Sequence, residues 1–565
     1  MRFIFFFFIC YASLFAQNQY PKEYFRSPLD IPLQLSGNFG ELRPNHFHAG
    51  FDLKTQKMEG LNVYAVADGY ISRIKISTFG YGKAIYITHP NGFTSVYGHL
   101  KFAVPKIEKY IKANQYKEKT FEIDIFPKPE ELVIKNGDII AFSGNTGGSD
   151  GPHLHFEIRD TQSEKVINPM FFNYGSQIKD TKKPIVTNLM VYPLDKNSVA
   201  NLSQNPMMLN LTLQSDGSYL AEKVLANGKI GFGINTYDVY DVAWDRNGVY
   251  KIQSFLNGRF SFGYQFDTFS FDEARYVNAL IDYPRYKKMS QRVQKLFMKQ
   301  PYNLSIIQPD GNNGIIEVLP NMTQMCRIEV SDFNDNKTIV SIPIQYSSAT
   351  ATDHSQVQET PYLVKNNKEY NFEKDNMSVF IPAGTFYEDF YLDFDVKDSV
   401  LYFHNDDVAV HTNFVVSIQD SVATDKQKEK MFIASVEGKK RGYNPTRRNK
   451  YTFTTYTKNL GQFVLALDTV APKITIPKSI EGKWLTDQKS IRLSIKDELS
   501  GVKQYNGYLN GQWILFEYDY KTRMLTHTFD DAIVAEGKND LKVEVSDNVG
   551  NSTIFETQFF RSQKQ

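Results

Sequence analysis

Cysteine and tryptophan are nearly missing from this 565-residue chain, which has two of one and three of the other. Cys10 falls in the apolar N-terminal stretch, so only Cys326 remains downstream and an intramolecular disulfide is excluded. Cys326 sits in the alternating run Met325-Cys326-Arg327-Ile328 and is expected to be a buried structural thiol. Trp244, Trp484 and Trp513 are too scattered to form an aromatic platform for glycan. Charge of one sign is lacking too: 64 Lys and Arg stand against 63 Asp and Glu. With no sustained basic patch, binding to nucleic acid through its phosphates is disfavoured. Beyond the N-terminus no segment is long and apolar enough to span a bilayer, and helical periodicity is scarce.

Aromatics are abundant by contrast, at 14% with 43 Phe and 34 Tyr, which favours β-rich structure. At about 100–200 residues per domain the length predicts three to five domains. Residues 1–16 read as a signal peptide. Arg2 is followed by an apolar run from Phe3 to Phe15 and by Ala16 ahead of polar Gln17. The mature chain is therefore expected to be exported, periplasmic or secreted to the cell envelope, with no transmembrane segment.

The expected fold class is mainly all-β. An antiparallel β domain over residues 17–180 is followed by two to three β-sandwich, Ig-like domains at 183–346, 359–466 and 469–565. Asp68-Gly69 and Asn91-Gly92, each between apolar alternations, predict hairpins. Helices are predicted over 105–116, where Ile107, Tyr110 and Ile111 have helical spacing, and over 285–298. The downstream part contains an internal repeat. Gly248-Val249 then Asn257-Gly258 matches Gly501-Val502 then Asn510-Gly511. Each copy closes on one phrase: Glu329-Val-Ser-Asp332 with Asn336, and Glu544-Val-Ser-Asp547 with Asn551. Linkers are expected at 180–184, 347–358 and 468–472.

Six of the ten histidines fall between positions 46 and 155. His48 and Asp52 are four apart, but Gly50 and Pro44 argue against a helix, so a strand or loop must bring them together. In His153-Leu-His155-Phe-Glu157-Ile158, strand alternation puts both imidazoles on one face, expected to be open, and the apolar residues on the core face. The glycine-rich approach, residues 143–152, lacks a phosphate-loop ending and is read as close backbone approach to an extended substrate. By the same alternation Tyr97 and His99 share a face. Three protein ligands plus a water is the open catalytic pattern of zinc. His48, Asp52 and one of the paired histidines would supply it, leaving the other and His99 to handle protons.

The series Phe39-Gly40, His48-x-x-x-Asp52, Tyr97-Gly-His99-Leu100, Ser143-Gly-Asn-Thr-Gly and Gly151-Pro-His153-Leu-His155-Phe-Glu157 resembles the lysostaphin-type (LytM-type) zinc metallopeptidases over roughly residues 30–165. The resemblance implies an antiparallel β fold and hydrolysis of peptide cross-links or stems in bacterial peptidoglycan by zinc-activated water. It implies Zn2+ held by His48, Asp52 and His155, His153 as general base, and His99 assisting it. His46 is read as a non-ligand and His89 as a surface residue. Arg43 and Asn45 are left between substrate contact and loop structure, and Glu157 between support of the site and a plain strand position. The insertion at 101–136 is expected to line or cover the groove. The rival reading is a non-catalytic wall-binding or amidase-activating adaptor. In either reading the C-terminal sandwiches are spacers or a surface for a protein partner.

Overall fold

The computed structural model describes residues 20–562 apart from 243, 355–356 and 530–532. The expected signal peptide lies outside the described residues. The chain is mostly β-structure, and the longest described helix is α1, Pro105–Glu118.

Seven strands frame the histidine-bearing region: β1 (Leu35–Gly37), β2 (Phe51–Lys54), β3 (Gly69–Ile76), β4 (Lys83–Thr88), β5 (Phe93–Gly98), β6 (Ile123–Ile125) and β7 (His153–Asp160). They form an antiparallel sheet in the order β1-β2-β7-β5-β4-β3-β6. β7 is central. Leu154, Phe156 and Ile158 are fully buried on one face, as alternation predicts. The face expected to be open is open only at His153: His155, Glu157 and Arg159 are buried as well. Tyr81 stacks on His155, with ring centroids 5.0 Å apart, while Tyr86 and Phe271 flank the Arg159 guanidinium. A charged row this deep is tolerated because its members pair with one another.

The Asn91-Gly92 turn joins β4 to β5 as predicted, with Gly92 at φ +86°. Asp68-Gly69 is not a hairpin. The strand before it, Asn62–Tyr64, pairs with Ile139–Phe142 in a separate three-stranded sheet. Asp68 instead accepts hydrogen bonds from Asn136 N and Lys135 Nζ, tying the two sheets together.

The first predicted helix is present as α1, with Pro105 in its first turn and Ile107 and Ile111 buried. The second is shorter than predicted, Tyr283–Met289. Ser290 takes a left-handed conformation (φ +57°), and Gln294–Lys295 continues as a strand paired to Val224–Tyr237, where Val293, Leu296 and Phe297 gain full burial. Here burial in a sheet outweighs helical spacing.

The two repeat copies adopt the same local structure. Lys251–Leu256 turns into Arg259–Gln265 through Asn257-Gly258, at φ +50° and +81°. Val502–Leu509 turns into Gln512–Ile514 through Asn510-Gly511, at +50° and +80°. Both are tight turns with two positive φ values, which asparagine and glycine tolerate best. In each copy the first hairpin strand pairs with the strand that ends in the shared phrase, Thr323–Ser331 or Gly537–Asp547. Cys326 is buried in the former, and burial pushes its thiol up to about 12.

The segment after residue 183 packs directly on the histidine-bearing sheet. Thr268–Phe269 pairs with Val166–Ile167, and Phe269 and Phe266 pack on Phe39 and Phe47 in one continuous core. Separate cores are centred on Val379, Phe403 and Phe453, and on Leu493, Leu525 and Val543. Among the described residues no helix is long and apolar enough to cross a membrane.

Candidate metal centre

Asp52 on β2 and His155 on β7 are directly opposed in an antiparallel pair, and Gly98 of β5 faces His155 from the other side. His48 reaches them from the loop before β2, not from a helix. Gly50 makes this possible, since a Cβ there would lie 2.2 Å from the Phe156 carbonyl oxygen. The three donor atoms converge. His48 Nε2 lies 3.1 Å from Asp52 Oδ1 and 3.1 Å from His155 Nδ1, and the last two are 2.9 Å apart. All three residues are buried.

Hydrogen bonding on the far side of each ring sets what the near side presents. His48 Nδ1 donates to the Asn38 carbonyl oxygen at 2.7 Å, so Nε2 carries a lone pair. Burial pushes this imidazole down to about 4, outweighing Asp52, and it is neutral at ordinary pH. His155 Nε2 donates to Glu157 Oε1 at 2.8 Å, leaving Nδ1 to face the centre. Burial opposes charge on His155, but hydrogen bonds to Asp52 and Glu157 prevail and push it up to about 9. Two imidazole nitrogens and one carboxylate oxygen, buried and aimed at one point, fit Zn2+ in both donor type and number.

The supporting groups are equally ordered. Glu157 also accepts from Tyr81 Oη and from Arg159, 2.6 Å to Nη2. Burial raises its carboxyl, but Arg159 and His155 overcome that and bring it down to about 2. Asp52 Oδ2 accepts from Arg43 Nη2 at 2.6 Å. Despite burial, His48, His153 and His155 hold the Asp52 carboxyl well below the usual range.

Two further imidazoles flank the centre. His153 Nε2 lies 3.3 Å from Asp52 Oδ1, while its Nδ1 donates to the Gly151 carbonyl oxygen at 2.8 Å. His99 Nδ1 donates to the Thr146 carbonyl oxygen at 2.8 Å, and its ring centroid is 4.7 Å from that of His153. A carbonyl only accepts, so each ring carries a proton on Nδ1, and its Nε2 is the nitrogen left to act on a ligand. Burial, reinforced by His155 and His153, pushes His99 down to about 3. His99 does not share a face with Tyr97, as strand alternation predicted. β5 ends at Gly98, and His99 adopts φ +57°, so it turns towards His153 while Tyr97 packs on Phe156 in the core.

The remaining expectations divide. His46 lies outside the donor triangle, exposed, with Nδ1 donating to the Pro44 carbonyl oxygen. His89 is not a surface residue: it is buried between the Asp68 carbonyl oxygen and Ser95 Oγ, where it pins the β4–β5 turn. Asn45 accepts from Asn278 Nδ2. The glycine-rich loop serves mainly chain against chain. A Cβ on Gly144 or Gly147 would meet Lys101 N at 2.5 Å or Gly82 N at 2.3 Å, and only the later loop residues, from Gly148 to Pro152, face the groove. The 101–136 insertion contributes nothing to the groove lining. It meets the C-terminal segment, with Tyr116 and Trp513 centroids 5.2 Å apart. Sequence reading missed Tyr81, Asn38 and Thr146, for which no local signal exists. It also missed Arg159, which the alternation 153, 155, 157, 159 does expose.

Residues 46–116 match peptidase family M23. This part of the chain is an M23-family zinc metallopeptidase domain. The match ends inside α1, and the third donor, His155, comes from beyond it. Among relatives, the DD-carboxypeptidase/endopeptidase Mpg of Neisseria meningitidis is 35% identical over 112 residues, 20% of this chain and 20% of that protein. An uncharacterized metalloprotease of Haemophilus influenzae is 29% identical over 158 residues, covering 26% and 27%. The peptidoglycan DD-endopeptidase ShyC of Vibrio cholerae is 28% identical over 142 residues, covering 24% and 27%. The chain spans about a fifth to a quarter of the length of these relatives. Outside the M23 domain, residues 361–468 match a Zu5-like domain.

Proposed function

We propose that the chain is an exported zinc endopeptidase that hydrolyses peptide bonds of bacterial peptidoglycan. The observation that carries this reading is a groove of about 1060 Å³ that opens directly on Asp52, His99 and His153. Its wall carries Lys57 and Asp150 beside the paired Lys54 and Asp245, which suits peptides bearing both amines and carboxylates. The Neisseria and Vibrio relatives are a DD-carboxypeptidase/endopeptidase and a peptidoglycan DD-endopeptidase, and they supply the substrate class.

His48, Asp52 and His155 would hold Zn2+, which would supply a Lewis acid for activating water and polarising the scissile carbonyl. His153 Nε2, positioned by the bond from Nδ1 to the Gly151 carbonyl, takes the nucleophile's proton and returns it to the leaving amine. His99 Nε2 orients the same water or the developing tetrahedral centre, with neutrality enforced by its burial. Arg43 fixes the Asp52 carboxylate by binding its outer oxygen.

Residues 183–346 and 469–565 are read as Ig-like β-sandwiches and 359–466 as a third β domain, serving as spacers or as a docking surface for a protein partner. Their support is the shared Asn-Gly hairpin and its partner strand. Residues 1–16 serve as the export signal, and the mature protein works in the cell envelope.

The test is digestion of purified sacculi with zinc-loaded mature protein, with and without a chelator, reading released muropeptides by mass spectrometry. Chelator-sensitive products identify the bond cut. A folded, zinc-loaded sample that releases none overturns the endopeptidase reading in favour of an adaptor.

A further inference from the structure

Outside the zinc centre, two more clusters bring three acids each within 4.8 Å: Asp180, Asp238 and Asp332, and Asp468, Asp497 and Asp547. Five of the six are buried and the sixth, Asp497, is half-buried. Among the described residues they accept from N–H groups rather than from Lys or Arg side chains: Asp180 accepts from Lys182 N, Asp332 from Asn336 N, Asp497 from Gly501 N and Asp547 from Asn551 N. Three carboxylates packed this closely repel one another unless a cation or protons intervene.

Both clusters also hold polar atoms without a partner. Asp238 is 1% exposed, and its Oδ1 receives no hydrogen bond. Ser500 is also 1% exposed; its N–H donates to Asp468 Oδ2, yet its own Oγ has no partner. Buried oxygens left without a partner beside a carboxylate triad call for a water or a cation to satisfy them.

The two clusters are built alike. Asp180-Thr-x-x-Pro184 and Asp468-Thr-x-x-Pro472 open them in the sequence. Asp238 directly follows the strand Val224–Tyr237, and Asp497 directly follows Ser490–Lys496. Asn336 Nδ2 bonds Asp332 Oδ2 at 2.6 Å and the Asp180 carbonyl at 3.2 Å. Asn551 Nδ2 bonds Asp547 Oδ2 at 2.7 Å and the Asp468 carbonyl at 2.9 Å. Thr338 and Thr553 Oγ1 then reach the carbonyls of Pro184 and Pro472. Oxygen-only donors with three negative charges select a hard divalent cation over zinc, and the flexible geometry of calcium suits an irregular cage.

We propose that each triad is a structural calcium site, so that the chain carries two calcium ions in addition to its zinc. The sites lie where the chain enters each repeat copy. Calcium bound there fastens the linker at 180–184 or 468–472 to the strand end at Asp332 or Asp547, and so fixes how each copy follows the preceding part of the chain.

The test is a metal count on the full mature chain, zinc-loaded and dialysed against calcium at about 1 mM, with a thermal melt across calcium concentrations. The expected wild-type count is two calcium and one zinc, with a melting temperature that rises with calcium. Asp332→Asn and Asp547→Asn should each lose one calcium and keep the zinc, and the double variant should lose both. A wild-type count below two overturns the proposal however the variants fold, as does either folded variant retaining two.

Discussion

Glu157→Gln separates support of the metal from support of the fold. Glu157 accepts from His155 Nε2 at 2.8 Å on one oxygen and from Arg159 on the other. A glutamine has only one accepting end. If its amide nitrogen faces His155, the imidazole must accept there, and the proton moves to Nδ1, where the metal binds. If the nitrogen faces Arg159, two donors collide in a buried site. The first cost falls on zinc affinity: loss of such a hydrogen bond to a ligating histidine typically weakens binding about 10–100-fold, or about 1.4–2.7 kcal/mol.

The second cost falls on the fold. The Glu157 carboxyl moves from an ordinary 4.5 to about 2 in the folded protein. Ionised Glu157 therefore stabilises the fold fully above about pH 4.5, and that contribution is lost as pH falls through about 2. At neutral pH the shift corresponds to about 3 kcal/mol, an order-of-magnitude figure that agrees with the cost of breaking a buried ion pair. Zinc affinity is measured by chelator competition on folded protein, and stability by denaturant melts of the metal-free form. A variant that melts early yet binds zinc within about twofold of wild type would refute the claim that Glu157 sets the His155 tautomer.

Three other perturbations test neighbouring parts of the site. His155→Ala should lose zinc and activity together, whereas His153→Ala should keep zinc and lose about 10²–10⁴-fold in turnover; equal zinc loss in both, read by metal content, breaks the role assignment. Zinc binding to the metal-free protein should release about one proton, from His155, because His48 is already neutral. Apparent affinity should then rise about tenfold per pH unit and flatten near pH 9; calorimetry in buffers of different ionisation heat checks this, and a plateau already reached by pH 7 contradicts it. Gly50→Ala should lose zinc and about 1–3 kcal/mol or more of stability, since its Cβ would lie 2.2 Å from the Phe156 carbonyl oxygen; wild-type zinc content and melting temperature would show that the loop can move.

What the sequence made legible follows from how far each signal reaches. His153 and His155 could be placed on one face of a strand because alternation is a property of the strand itself. The Asn-Gly turns of the repeat were readable for the same reason, since the turn type is demanded by two adjacent residues. Errors arose where a partner distant in sequence decided the outcome. Asp68-Gly69 has a hairpin's local chemistry, but the strand before it is claimed by Ile139–Phe142 in another sheet. His89 follows a strand and precedes a turn, which reads as surface, yet Asp68 and Ser95 enclose it. His99 departs from alternation because β5 stops one residue before it.

The same limit explains why the groove could not be drawn from the M23 domain alone. Its rim is held by residues from far along the chain. Lys54, one residue beyond the apolar Leu53 of β2, is paired by Asp245. Asn45 is held by Asn278. Lys521 Nζ reaches the Asn145 carbonyl at 2.7 Å and the Ser149 carbonyl, in the loop that leads to His153. Lys83, half-buried beside this loop, pairs with Glu517 at 2.8 Å. The C-terminal segment thus braces the loop whose Gly151 carbonyl sets the proton on His153. The placement of the His153 ring is therefore mechanically linked to a part of the chain that contributes no donor to the metal triad. A long chain of β-structure behind a small catalytic sheet is what such bracing requires, because each rim contact needs a rigid element to present it.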